Sequence, residues 1–234
     1  MWSGRGIAVA DIIRFIGENS EMVLTAVWQH LLIVLTAVGL GLLVALPVGT
    51  LLSYHRKAAK YILGVFGVIN TIPSLVLLGV AMTLLGVGFM PAVAVLFVYS
   101  MLPVLRNTYT GLTGVNYKYI KAARGMGMSP MQVLLKVRLP LALPVIIAGI
   151  RLSVVYVVSW ATLAAFIGAG GLGDLIWMGM QTYDLPMVFA GALPATVMAL
   201  LASFLIGWIE KWTRRRNERT ARKRRRTARE EVSA

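Results

Sequence analysis

Residue types that carry chemistry occur in this chain, but not in the arrangements that catalysis needs. There is no cysteine, so neither a disulfide framework nor a thiolate is available. The two histidines, His30 and His55, are far apart and have no metal-ligand spacing around them. No Gly-x-Ser-x-Gly turn is present, and no histidine is placed to activate a serine. A phosphate loop of the G-x-x-x-x-G-K-[ST] form is absent too. Gly168-Ala169-Gly170-Gly171-Leu172-Gly173 fits the G-x-G-x-x-G expression. That expression needs a soluble strand–turn–helix with an acid about twenty residues on. Here it follows a long apolar run, so a flexible extracellular turn between spans is the better reading. The twelve methionines are scattered and read as apolar filler. What remains is the chemistry of recognition, in two stretches. Asn70-Thr71-Ile72-Pro73-Ser74 is a polar, proline-kinked patch inside an apolar run. Tyr119 to Arg151 is a basic segment that breaks and restarts a helix.

Both stretches must be positioned by membrane helices. Of 234 residues, 58% are hydrophobic and 14% charged, too little charge to cover a soluble surface. Uncharged runs recur at the ~20 residues a spanning helix needs. The expectation is an all-α integral membrane protein with about five transmembrane helices. Residues 1–25 form an interfacial amphipathic segment and residues 26–210 a membrane domain. Its spans lie near 26–54, 61–86, 89–106, 141–166 and 185–210, with a loop over 107–140 and a basic tail over 211–234. Pro47 kinks the first span, and Gly86 to Pro91 is the break that divides the chargeless stretch from Tyr61 to Leu105 into two. Arg151 falls inside the fourth span, where a charge must snorkel or face the protein interior.

Lys and Arg distribute unevenly between alternate sides. One side carries three in the first loop, six from Arg106 to Arg138 and eleven in the tail; the other carries two before the first span and none in the later loops. The positive-inside rule therefore predicts an N-terminus outside and a C-terminus in the cytosol. The net charge of +14 is a topology signal, and the tail suits anionic headgroups or solvent better than nucleic acid.

Within the loop, Asn116 is placed to cap a short helix and Gly127 to end it. Ser129-Pro130-Met131-Gln132 reads as a capping box with proline in the first turn, restarting a helix that stops at Leu139-Pro140. The result is helix, glycine bend, helix, with Ala122, Ala123, Gly125 and Gly127 leaving room for another surface. An amphipathic loop lying on headgroups remains a plainer alternative.

The same stretch resembles the cytosolic loop of bacterial ABC-importer permeases, whose pattern is E-A-A, three residues, Gly, nine residues, Ile-x-Leu-Pro. Here Lys121-Ala122-Ala123, Gly127 and Val137-Arg138-Leu139-Pro140 keep that spacing, with Lys121 in the acidic position. The resemblance implies that Lys121, Ala122, Ala123, Gly127, Leu139 and Pro140 couple to a separate ATPase. It also implies a second permease chain, homo- or heterodimeric, two ATPase subunits and an extracytoplasmic substrate-binding protein. By the same implication the chain is no enzyme and binds no cofactor itself; ATP and magnesium sit on the ATPase, and the complex resides in the bacterial inner membrane. Asn70 to Gly79, Leu139 to Arg151 and Ala161 to Ile176 look like permeases that import quaternary-ammonium osmoprotectants such as glycine betaine or choline. Asn70, Thr71, Ser74, Tyr99, Tyr156 and Trp160 are the candidate pathway residues, since aromatic faces suit a quaternary ammonium. For Asn70 to Ser74, packing within their own helix is an equal reading. Alternatives are a permease for an amino acid such as methionine, and a non-transporting scaffold that recruits a soluble partner.

Overall fold

An apolar segment in a bilayer satisfies its backbone by winding into a helix, because no water is there to do it. The computed structural model describes residues 9–233, with side chains over 9–215. Residues 1–8 of the expected interfacial segment and the tail side chains past 215 lie outside the described residues. Helix α1, Val9–Glu18, buries none of its residues and carries an exposed Arg14–Glu18 pair at 2.8 Å, one turn apart. Helix α2 spans Ser20–Leu52 and keeps Pro47 inside. Helices α3, Arg56–Thr71, and α4, Ser74–Leu85, follow, then α5, Phe89–Thr113. The loop holds α6, Tyr117–Gly125, and α7, Pro130–Val133, which runs through a π-turn, Leu134–Arg138, into α8, Leu139–Ala161. A 3-10 turn, Thr162–Ile167, leads to α9, Leu172–Thr182, and α10, Leu185–Ser233.

Among the described residues, four helical stretches are long and apolar enough to cross a membrane: Ser20–Leu52, Phe89–Thr113, Pro130–Ile167 and Leu185–Arg215. Counting α3 and α4 as one broken span makes five. That pair departs from the single kinked helix expected over 61–86, because the two pieces meet at 94°. The cause is local. The residue before a proline is driven out of helical geometry, and Ile72 is extended, at φ −71° and ψ 131°. The Gly-rich stretch also differs from a free turn. Gly171 N–H donates to Gln29 Oε1 at 3.0 Å, and a Cβ on Gly170 would lie 2.6 Å from that oxygen. The turn is packed on α2.

The body of the fold is α5 laid between α2 and α8. Lipid is as apolar as leucine, so helices in it associate through close packing and hydrogen bonds. Small residues make that approach possible. A Cβ on Gly41 would lie 1.9 Å from Ser100 Oγ and one on Gly49 2.8 Å from Thr108 Cβ, both across the α2–α5 seam. Across α5–α8, a Cβ on Gly149 would lie 2.4 Å from Asn107 Cβ and 2.9 Å from Pro103 O. Buried hydrogen bonds add to this: Ser153 Oγ donates to Ser100 O at 2.8 Å across α5–α8, and His30 Nε2–H to Val158 O at 3.1 Å across α2–α8. Ile33, Leu96, Val157 and Ala161 fill the centre. Arg151 turns toward α10, where Nε donates to Ser203 Oγ at 3.1 Å and Nη1 lies 3.6 Å from Glu210 Oε2. Gly207 leaves the guanidinium its room.

Close approach at Gly149 makes a definite prediction. Gly149→Ala forces Asn107 and the Pro103 carbonyl aside and costs about 1–3 kcal/mol. Gly39→Ala meets nothing within 4 Å and gains helix propensity, about 1 kcal/mol at most. Thermal midpoints in detergent, followed by size exclusion, should fall for the first and hold or rise for the second.

Candidate functional site

Two regions carry the recognition chemistry. In the loop, Asn116 Oδ1 accepts the Lys118 N–H at 2.9 Å and caps α6. The helix ends where Gly127 takes φ 79°, with Gly127 N–H donating to Arg124 O and Met128 N–H to Ala123 O. The capping box is present: Gln132 N–H donates to Ser129 Oγ at 3.3 Å, and Ser129 N–H to Gln132 Oε1 at 2.9 Å. Lys121, Ala122 and Gly127 are exposed, whereas Ala123 is buried. Around the bend, Tyr119, Met126, Met131 and Leu135 also expose large apolar surface.

The second loop helix does not stop at Leu139-Pro140, as the sequence suggests. Leu139 N–H donates to Leu134 O, five residues back, and the widened turn moves the preceding carbonyls out of the way of the Pro140 ring. Leu139 is half-buried and Pro140 exposed at the start of α8.

Sequence reasoning passes over Arg138. It is 8% exposed. Nη2 donates to Ser53 Oγ at 3.1 Å and to Leu112 O at 3.2 Å, while the guanidinium carbon lies 4.7 Å from the centre of the Tyr54 ring. Its one signal in the sequence is an arginine set directly between the apolar Val137 and Leu139-Pro140.

The second region lies at the elbow between α3 and α4. Tyr99, Tyr156 and Trp160 come together there, with Trp160 4.7 Å from Tyr99 and 5.3 Å from Tyr156, centre to centre. Tyr99 is buried, Trp160 half-buried and Tyr156 41% exposed, so the cluster shows an open aromatic edge. Tyr99 O–H donates to Ile72 O, the carbonyl left open by the proline break. The other three candidates divide differently. Asn70 Nδ2 donates to Phe66 O at 3.2 Å and Thr71 Oγ1 to Val68 O at 2.6 Å, both within α3. Ser74 is half-buried at the first position of α4. Nearer the α2 N-terminus, a cleft of about 610 Å³ is lined by Glu18, Glu21, Gln29 and Asp174 among others, and partial burial raises the Asp174 carboxyl above its usual range.

Residues 37–219 match the family model described as binding-protein-dependent transport system inner membrane component. The chain is 47% identical to the carnitine transport permease protein OpuCB of Listeria monocytogenes, over 85% of this chain and 91% of that one. It is 45% identical to the choline transport system permease protein OpuBB of Bacillus subtilis, over 86% and 92%. It is 39% identical to the osmoprotectant import permease protein OsmW of Salmonella typhimurium, over 84% and 94%. In fold it is similar to an inward-facing structure of the MetNI methionine ABC transporter. That match has a TM-score of 0.74 and 23% identity, and it covers 84% of this chain and 98% of that one.

The elbow depends on one hydroxyl. Tyr99→Phe keeps the ring contact with Trp160 and leaves the Ile72 carbonyl without its donor, at a cost of about 1–3 kcal/mol. A lower midpoint in a tryptophan-fluorescence melt is the expected result, with no change for Thr83→Ala, whose exposed hydroxyl bonds only within its own helix.

Proposed function

The chain belongs to the family of binding-protein-dependent transport system inner membrane components, and from that premise we propose that its solute is a quaternary-ammonium osmoprotectant. It is a permease subunit of an ABC importer in the inner membrane. The observation that carries the solute assignment is the 39–47% identity, over 84–86% of the chain, to permeases named for carnitine, choline and osmoprotectant import. The aromatic cluster adds a chemical reason. A methylated ammonium has no N–H to donate and is attracted to ring faces. Tyr156 offers an exposed ring backed by Trp160 and Tyr99.

In this reading two permease chains line the path. A binding protein delivers solute outside, and two separate ATPase subunits holding ATP and magnesium dock inside. The N-terminus lies outside and the tail in the cytosol, following the Lys and Arg distribution. The docking surface is the α6–α7 segment: Lys121, Ala122 and Gly127 at the open bend, Ala123 buried where α6 packs on α7 and the π-turn, and Leu139 and Pro140 leading into α8. The capped ends support this role, because a rigid segment passes on a displacement that a slack loop would absorb. Asn70, Thr71 and Ser74 lie beside the path at the elbow, and the self-bonded side chains of Asn70 and Thr71 make them wall rather than ligand.

Uptake of labelled glycine betaine, choline, carnitine and methionine into proteoliposomes holding the full complex tests the solute. Uptake of the first three is expected; transport of methionine alone would overturn the assignment. Tyr156→Ala should slow osmoprotectant uptake about 2- to 30-fold, the worth of one cation–π contact, with Tyr156→Phe near wild type. Docking is tested by co-purification with the ATPase. Gly127→Asp puts a side chain and a charge at the φ 79° bend and should abolish it; binding equal to wild type would remove this loop from the interface.

A further inference from the structure

Arg138 is not among the residues that the motif spacing marks, yet it is the most heavily committed side chain in the loop. Burying a guanidinium costs free energy unless its donors are met and its charge is offset. Among the described residues Arg138 makes no ion pair. The offset comes from two helix ends. Ser53 is the C-cap of α2, and Leu112 lies in the last turn of α5. Carbonyls in a last helical turn have no intrahelical donor, and a helix C-terminus carries partial negative charge. One nitrogen of the guanidinium, Nη2, therefore serves two helix C-termini and the Tyr54 ring lies against the group, while Nε is buried without a hydrogen-bond partner.

The π-turn explains how an arginine on this segment comes to face inward. Buried Val133 and buried Arg138 are five residues apart. In an α-helix five residues turn through about 500°, which would set the two on different faces. The widened turn brings both onto the buried side, while Met131 and Leu135 stay exposed.

We infer that Arg138 is the positioning residue that makes the docking segment move as one body with α2 and α5. Through Nη2 the side chain joins three elements, α2, α5 and the segment itself, at the point where α7 becomes α8. Displacement of α6–α7 then reaches the membrane helices instead of being taken up in the loop. The inference rests on the reading of α6–α7 as the ATPase-docking surface. It adds a residue that need not touch the ATPase and acts through its neighbours.

The test uses the full complex in proteoliposomes and reads solute moved per ATP hydrolysed, a ratio that a loss of stability alone leaves unchanged. Arg138→Met should keep the wild-type amount of bound ATPase and continue to hydrolyse ATP. Its transport ratio should fall about 5- to 150-fold, the range of a lost coupling free energy between sites. Arg138→Lys keeps the charge without the planar fork and should fall between the two. The chain has no native cysteine, so Ser53→Cys with Arg138→Cys gives a unique pair. A bis-methanethiosulfonate of about the reach of an arginine side chain should restore the ratio in that variant. A wild-type ratio in Arg138→Met overturns the inference. Should Arg138→Met not assemble, Ser53→Ala with Tyr54→Leu decides: a reduced ratio supports it and an unchanged one overturns it. If the wild-type chain itself binds no ATPase, the docking assignment fails first, a result distinguishable from either of these.

Discussion

A backbone group that loses its partner inside a membrane finds no water to replace it, and this fold is arranged around that constraint. At Ile72-Pro73, the Ile72 carbonyl left open by the extended break receives the Tyr99 hydroxyl from a neighbouring helix. At Leu134–Arg138, the backbone widens by one residue and bonds five positions back, so the helix continues through Pro140. Carbonyls at the ends of α2 and α5 face a buried guanidinium or a serine hydroxyl. These three departures from regular helix are each paired with a named donor, and each lies in a region with a proposed functional role.

The second organising element is closeness. Gly41, Gly49 and Gly149 let α2, α5 and α8 approach until backbone and small side chains touch, and Ser153 and His30 bond across the resulting seams. The packing is tight along α5 and looser where α3 and α4 leave it, with Val65, Val68, Val76 and Val80 turned outward. A firm three-helix body thus carries a more exposed, elbowed pair beside it. A carrier that alternates its access has need of both, since interlocked helices shift together and lightly packed ones shift against them.

Local signals in the sequence were legible because they act over a few residues. The capping box at Ser129–Gln132 and the bend at Gly127 follow from neighbours in the chain alone. Class, membrane location and permease family were legible from composition, charge asymmetry and the Lys121-to-Pro140 spacing. Pro140 misled, since whether a proline ends a helix depends on the turn before it, and a π-turn leaves no mark in residue types. Asn70 and Thr71 read equally as packing and as path in the sequence, and in the structure their side chains bond within α3. Contacts between residues far apart in sequence could not be read: Arg138 with Ser53 is separated by 85 positions, Tyr99 with Ile72 by 27, and His30 with Val158 by 128. Aromatic chemistry could be chosen from the sequence, but only folding brings Tyr99, Tyr156 and Trp160 together.

The right-angle elbow has a mechanical consequence. Two rods joined near 94° have the geometry of a bell crank: travel along the axis of α3 would become sweep across the axis of α4. Tyr99 stands at the fulcrum on α5, its hydroxyl fixed to the corner carbonyl. Its ring lies against Trp160, the same aromatic surface that the corner would pass. With the corner held at that angle, a shift along α3 from its basic start, Arg56 to Lys60, would carry α4 sideways past the Tyr99–Trp160 pair without bending either helix.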